Sequence, residues 1–265
     1  MYQLVTIVDA WSQHLVLRFR GQTLSDPDLE RFSAMLGPLD KAPTYTRGVR
    51  TDVGSDFVTV ISNVMVDGVP IGDLGHAEAS WHTDMSYNEV PPMASALYSL
   101  EIPPVGGETG FCNLYAAWET LPADLRERVA GRQCIHDSST NSVGGRRGDH
   151  AEVTDPRQTP GARHPMVITH PVTGRECLFL GRRRNACIIG LPLDESERLL
   201  DAVWAYCTQE KFTWYQHWQV GDLILWDNRC VMHRRDSFDP MARRIMHRTQ
   251  IGGSRPVGRL VSAAA

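Results

Sequence analysis

Seven short runs of apolar and β-branched residues recur along the chain, at 57–64, 94–100, 166–169, 177–180, 223–226, 230–233 and 245–251, and Gly, Pro and Asp turns separate them. Runs of this length, alternating or β-branched and bounded by turn residues, read as strands. A chain built this way is restricted to a β-rich core, mainly β with flanking helices. At 265 residues it is long enough to bury a large core, and one domain over 1–265 is expected.

Helices are fewer and better marked. Asp26 is placed to cap one, with Pro27 in its first turn, Leu29, Phe32 and Leu36 on one face and Gly37 as its stop. A second stretch covers 114–121 and restarts at Pro122 toward Val129. A third begins near Asp194 and sets Leu199, Val203 and Tyr206 on one stripe. Between about 136 and 164 the pattern dissolves into Ser, Gly, Arg, Asp and Pro, too long for an ordinary connection, so a lid loop is expected there.

Composition excludes several partners. A net charge of -4 with no basic tract does not favour nucleic acid or an anionic membrane. No run of about 18 apolar residues is present to span a bilayer. The six cysteines are scattered, without a C-x-x-C pair or a signal peptide ahead of them. They read as reduced thiols of a cytoplasmic protein.

Trp81-His82-Thr83-Asp84 is the strongest local signal. In an extended segment residues two apart point the same way, so His82 and Asp84 present an imidazole and a carboxylate together. That is two-thirds of a 2-His-1-carboxylate iron site. On spacing alone it competes with His76-Ala-Glu78 and His150-Ala-Glu152. Near the C-terminus, Trp226-Asp227-Asn228-Arg229 leads into a strand that carries His233, and a returning strand sets Arg244, Met246 and Arg248 on one face. A planar guanidinium grips a carboxylate with two hydrogen bonds and keeps its charge. In Pro103-Pro104-Val105-Gly106-Gly107-Glu108-Thr109, the glycines allow a tight turn and Thr109 offers a hydroxyl. The Arg182-Arg183-Arg184-Asn185 run follows a strand and reads by itself as an exposed basic loop; Trp118, Trp204, Trp214 and Trp218 receive no role.

Taken in order, these motifs resemble those of the taurine and 2,4-dichlorophenoxyacetate dioxygenase family, from about residue 29 to 252. The resemblance implies a double-stranded β-helix (jelly roll), Fe(II), and 2-oxoglutarate and O2 as cosubstrates. It also implies hydroxylation of an aliphatic C–H of a small organic acid, carboxylate or sulfonate, with succinate and CO2 as coproducts, by an enzyme that is a homodimer or homotetramer. Position by position it makes His82, Asp84 and His233 the catalytic metal ligands, and Thr109 with Arg244 the pair that binds 2-oxoglutarate. Arg248, Glu78 and Met85 become substrate-pocket residues, with Glu78 an internal partner for Arg248 or a second substrate contact, and the Arg182-Arg183-Arg184-Asn185 run comes near the substrate mouth unless it is an exposed basic loop. Two alternatives stand beside this one: a zinc-dependent hydrolase using the same His-Asp-His set, and a non-catalytic 2-oxoglutarate-binding protein.

Overall fold

Strands that touch solvent on one face keep an alternating burial pattern, whereas those covered on both faces lose it. The computed structural model describes residues 2–42, 54–148 and 150–258. Its two main sheets are built from β1 (Val16–Phe19), β2 (Thr59–Ser62), β3 (Asp73–Leu74), β4 (Ala79–His82), β5 (Ala94–Glu101), β6 (Thr109–Asn113), β7 (Thr213–Gln216), β8 (Leu223–Asp227), β9 (Val231–Arg235) and β10 (Ile245–Ile251). The larger sheet runs β1-β8-β5-β10-β2-β3 and the smaller β7-β6-β9-β4. Every pairing in them is antiparallel except β2 with β3. The two sheets pack face to face as a jelly roll.

β5 and β8 show why the sequence has unbroken apolar runs there. Ala94, Ala96 and Tyr98 of β5, with Leu223 and Leu225 of β8, meet Trp11 and Leu29 of the helices α1 (Tyr2–His14) and α2 (Asp26–Ala34). The alternate residues Leu97, Ile224 and Trp226 face inward with Met246, Phe111 and Val231. Both faces of these strands are therefore dry. Each fully buried large side chain contributes about 1.5–3 kcal/mol. The remaining helices are α3 (Leu114–Glu119), α4 (Ala123–Val129) and α5 (Leu193–Cys207); α5 buries Leu199, Leu200, Val203 and Trp204.

Strands form within all seven expected runs, and 245–251 matches end to end. The cap of α2 differs from the expectation. Ser25 is the N-cap, its hydroxyl accepting from Asp28 N–H while Asp28 accepts from Ser25 N–H, and Asp26 lies inside the first turn. Gly37 is not the stop, because α2 ends at Ala34. It lies where a Cβ would sit 3.0 Å from Ile251 and 3.1 Å from Met93, so it serves close packing.

The 136–164 segment carries little regular structure beyond a short 3-10 turn, Pro156–Gln158, but its first part is fixed to the body. His136, Asp137, Ser139, Thr140 and Ser142 are buried. The Asp137 carboxylate accepts from Ser139 N–H (2.7 Å), the hydroxyls of Ser139 and Thr140, and Asn185 Nδ2 (3.1 Å). Ser142 O accepts from Ser80 N–H at 2.9 Å, stitching the segment to β4. All six cysteines are buried and unbridged. Among the described residues no helix is long and apolar enough to cross a membrane.

Candidate metal centre and its cavities

β9 and β4 are paired so that His233 stands opposite His82, with ring centroids 4.1 Å apart. The chain turns just past the end of β4, which brings the Asp84 carboxylate back over them. Asp84 Oδ1 lies 3.6 Å from His82 Nε2 and 3.8 Å from His233 Nε2, and ligand atoms of the three buried side chains lie within 4.8 Å of one another. His82 Nδ1 is 2.7 Å from the Ser80 carbonyl. A carbonyl can only accept, so Nδ1 carries the proton and Nε2 keeps its lone pair for the centre.

Electrostatics support that assignment of protons. Burial pushes His82 below the usual histidine range, against the pull of Asp84. His233 is pushed well below it, chiefly by burial. Burial alone would raise Asp84, yet Arg248 and the two histidines hold its carboxyl well below the usual carboxylate range. Two neutral imidazoles and one carboxylate converging in a buried corner are a donor set that fits a divalent cation.

The larger sheet holds Asp84 from behind. Ser95 Oγ donates to Asp84 Oδ2 at 2.8 Å and itself accepts from Asn228 Nδ2 at 3.0 Å. Trp226 Nε1 donates to Asn228 Oδ1 at 2.7 Å. Arg248 Nη1 donates to both carboxylate oxygens at 3.1 Å. Ser95 and Asn228 were not singled out from the sequence, and the only signal for them was the 226–229 motif, which set no role for its asparagine.

Arg244, just before β10, is 2% exposed, and its guanidinium meets no acid among the described residues. Its Nε has no hydrogen-bond partner, and burial, with Arg235 nearby, pulls its pKa down to about 9. It lines a small inner cavity of about 40 Å³ together with Thr109, His82, His233 and Arg248. Trp218 Nε1 donates to Thr109 Oγ1 at 3.0 Å, so the threonine proton is left to point elsewhere. Trp218 thus orients the Thr109 hydroxyl, a contact that its sequence context did not reveal. Gly106 and Gly107 adopt φ of 80° and 74°. A Cβ on Gly106 would lie 2.7 Å from Ser237 O, so only glycine lets this turn press against the turn after β9.

The inner cavity adjoins an outer one of about 320 Å³, which shares His82 and Arg248 and adds Asp84, Met85, Tyr87, Arg147 and Arg182. Met85 lines it in a left-handed conformation, φ 45°. Glu78 does not. It is exposed and pairs with Arg234 at 3.0 Å, because it precedes β4 and Arg234 points to the opposite face of β9 from His233. The internal partner of Arg248 is accordingly Asp84 and not Glu78. Arg183 pairs with Glu197 and Asp201 on α5, and the Arg184 guanidinium bonds the Gly144 carbonyl. Of the run only Arg182 enters the cavity.

A second buried cluster, His170, Asp227 and Cys230, has metal-like spacing but different chemistry. His170 Nδ1 accepts from Val172 and Thr173 N–H, which puts the ring proton on Nε2, facing Asp227 Oδ2 at 3.1 Å. Arg229 covers both Asp227 oxygens at 2.8 and 2.6 Å. Burial drives the Cys230 thiol well above its usual range. The cluster is saturated internally and anchors the turn between β8 and β9. His76 and His150, the rivals by spacing, are exposed and join no such cluster among the described residues.

A jelly roll with this corner is the architecture of the 2-oxoglutarate-dependent dioxygenases, and comparison with known proteins agrees. The model of the taurine catabolism dioxygenase TauD, TfdA family matches residues 3–250. The chain is 33% identical over 241 residues to the alpha-ketoglutarate-dependent 2,4-dichlorophenoxyacetate dioxygenase of Cupriavidus pinatubonensis, covering 88% of this chain and 83% of the relative. It is 31% identical over 261 residues to the alpha-ketoglutarate-dependent sulfate ester dioxygenase of Pseudomonas putida, covering 93% and 79%. The crystal structure of a taurine dioxygenase from Burkholderia xenovorans superposes with a TM-score of 0.76 at 30% identity, covering 97% and 84%. The chain belongs to the TauD, TfdA family and is a 2-oxoglutarate-dependent dioxygenase. That membership selects the dioxygenase over both alternatives the sequence left open.

Proposed function

We propose that His82, Asp84 and His233 hold iron(II), that Arg244 and Thr109 hold the distal carboxylate of 2-oxoglutarate, and that the enzyme hydroxylates an aliphatic C–H of a small organic acid. Succinate and CO2 are the coproducts. The observation that carries this is Arg244, a cation buried beside the His-Asp-His corner without an acid partner among the described residues. An unpaired buried charge is costly, so a site that keeps one is built for an anion that arrives.

When bound, iron(II), 2-oxoglutarate and O2 supply the oxidant that takes a hydrogen atom from the substrate. The protein's own residues do the rest. The Ser80 carbonyl fixes the tautomer of His82, and Ser95 and Arg248 fix the Asp84 carboxylate with its Oδ1 toward the imidazoles. The Thr109 hydroxyl, its acceptor side engaged by Trp218, donates to the same carboxylate that Arg244 grips. The inner cavity is walled by Ile61, Leu97 and Trp226, which exclude water around the reacting groups. Residues 136–142 form a fixed wall, and the exposed stretch beyond them closes over the substrate as a lid.

The test is succinate formation from 2-oxoglutarate, dependent on iron(II) and substrate, over a panel of aryloxyalkanoates, sulfonates, sulfate esters and amino acids. At least one acid should stimulate it. His82→Ala, Asp84→Ala and His233→Ala should each abolish it and weaken divalent-metal binding. Full activity in any of the three would rule out this metal site.

A further inference from the structure

We infer that Arg235 is a second cation of the cosubstrate pocket and shares with Arg244 the selection of a 2-oxo acid that carries a distal carboxylate. The inference rests on the proposed seating of 2-oxoglutarate at Arg244 and Thr109 and deepens it. Arg235 lies two residues beyond His233 on β9, so the two side chains share a face. Its partner across the sheet is Thr109 of β6. Residues opposed in this way have Cβ atoms about 4.5–5.5 Å apart. Strand pairing therefore sets Arg235 beside the hydroxyl assigned to the distal carboxylate, and it lines the inner cavity with Thr109 and Arg244.

Arg235 is 6% exposed. Its Nη2 donates to the main-chain carbonyls of Leu74, at 2.9 Å, and of Ala77, while its Nε has no hydrogen-bond partner. Its Cζ lies over the Phe238 ring, 5.5 Å from the centroid. Carbonyls aim a guanidinium but do not neutralise it. The acids adjacent in sequence to these contacts are engaged elsewhere. Asp236 and Glu78 pair with Arg234, Glu108 faces His217, and Asp73 lines the outer cavity, where it accepts from Leu74 N–H. Arg235 forms no ion pair among the described residues, and those lining the inner cavity, with their neighbours in the chain, are all described. Burial pulls its pKa to about 10, so it remains charged at neutral pH.

Two buried guanidinium groups thus border one small space, an arrangement that is costly until an anion enters. At about 40 Å³ the space takes roughly two or three water-sized groups, the bulk of one carboxylate. A carboxylate has about four acceptor positions. The fork of Arg244 fills two and the Thr109 hydroxyl a third, which leaves one for Arg235. A methyl group in the same place would leave both cations and the hydroxyl unpaired.

The test is calorimetric titration, under argon, of Mn(II)-loaded protein with 2-oxoglutarate and with 2-oxopentanoate, which ends in a methyl group in place of the distal carboxylate. Wild type should bind 2-oxoglutarate at least about tenfold more tightly. Arg235→Met should weaken 2-oxoglutarate by about tenfold or more and leave 2-oxopentanoate within about twofold, with Arg235→Lys in between. Arg235→Gln can still donate to the Leu74 and Ala77 carbonyls but has no charge. It should lose as much 2-oxoglutarate affinity as Arg235→Met, and it serves if that variant does not fold. Unchanged 2-oxoglutarate affinity in both uncharged variants overturns the inference, as do equal losses for the two oxo acids. Wild-type preference restored in Arg235→Gln also overturns it, because Arg235 would then only pin the loop at 74–77. Arg244→Met separates the two levels. If it too leaves 2-oxoglutarate affinity unchanged, the pocket itself is misplaced; if it alone abolishes the preference, only the share given to Arg235 falls.

Discussion

At the scale of single residues the site is organised by which buried charges have partners. Arg248 has Asp84, and Arg244 has no acid partner among the described residues. The two should therefore respond oppositely to the same substitution. Arg244→Met removes a desolvated cation and keeps its volume, so the ligand-free protein should become more stable, by about 1–4 kcal/mol, while its stabilisation by 2-oxoglutarate disappears. Arg248→Met strips the counter-ion from a buried carboxylate and should destabilise the ligand-free protein by about 3–5 kcal/mol. Thermal melts of both variants, with and without Mn(II) and 2-oxoglutarate, check this. A fall in stability for Arg244→Met, or retained stabilisation by the cosubstrate, would remove Arg244 from its assigned place.

At the scale of elements, the site depends on turns more than on strands. Gly106 and Gly107 set Thr109 against the end of β9, and Gly106→Ala meets Ser237 O in a backbone conformation that disfavours a side chain. It should lower stability by more than about 1 kcal/mol and raise the 2-oxoglutarate KM, while Gly174→Ala, also at positive φ but with nothing near its Cβ, should spare the KM. In hydrogen exchange, amides of 137–142 and that of Arg147, which bonds Ser139 O at 2.7 Å, should be protected with or without substrate, and those of the largely exposed 151–154 should gain protection only with it. Equal protection of 151–154 in both states would exclude a lid. Elements also mark the limit of what the sequence discloses. His82 and Asp84 were legible as a local His-x-Asp pair, although the turn past β4 and not an extended strand brings Asp84 back to the imidazole. Arg244 and Arg248 were legible from their four-residue spacing, although the register of β10 shifts between Ile245 and Met246. The α1 helix was not: Val5-Thr6-Ile7-Val8 is β-branched, and the segment is helical because Trp11 packs on the larger sheet. β6 was missed because Gly110 interrupts it, and Gly110 is required where the Tyr215 and Trp81 rings crowd its missing Cβ at 2.8 and 3.0 Å. The contact between Arg248 and Asp84 joins residues 164 apart in sequence, and no local pattern announces it.

At the scale of the whole molecule, the buried imidazoles make stability a function of pH. Burial holds His82, His136, His164 and His233 below the ordinary histidine value of 6.5. In the folded protein they stay neutral where the unfolded chain binds protons, so the unfolded state takes up more protons and stability rises with pH. The contribution is complete above pH 6.5 and is lost progressively as the pH falls from there toward the lower folded values. Each histidine can add at most about 1.4 kcal/mol per pH unit to the slope. Asp84 and Asp227, whose carboxyls are depressed, act in the same direction but only below the ordinary carboxylate value of 3.8. Urea unfolding of the metal-free protein between about pH 5 and 8 should therefore show a steady loss of stability below 6.5. His136 separates this from metal chemistry: neither ring nitrogen has a hydrogen-bond partner among the described residues, the ring stacks on Phe179, and it is not a member of the His-Asp-His cluster. His136→Phe should flatten the slope by one proton's worth and leave divalent-metal binding unchanged. A profile already flat in the wild type would show that the unfolded chain takes up no excess protons, and that these imidazoles are not held neutral by burial.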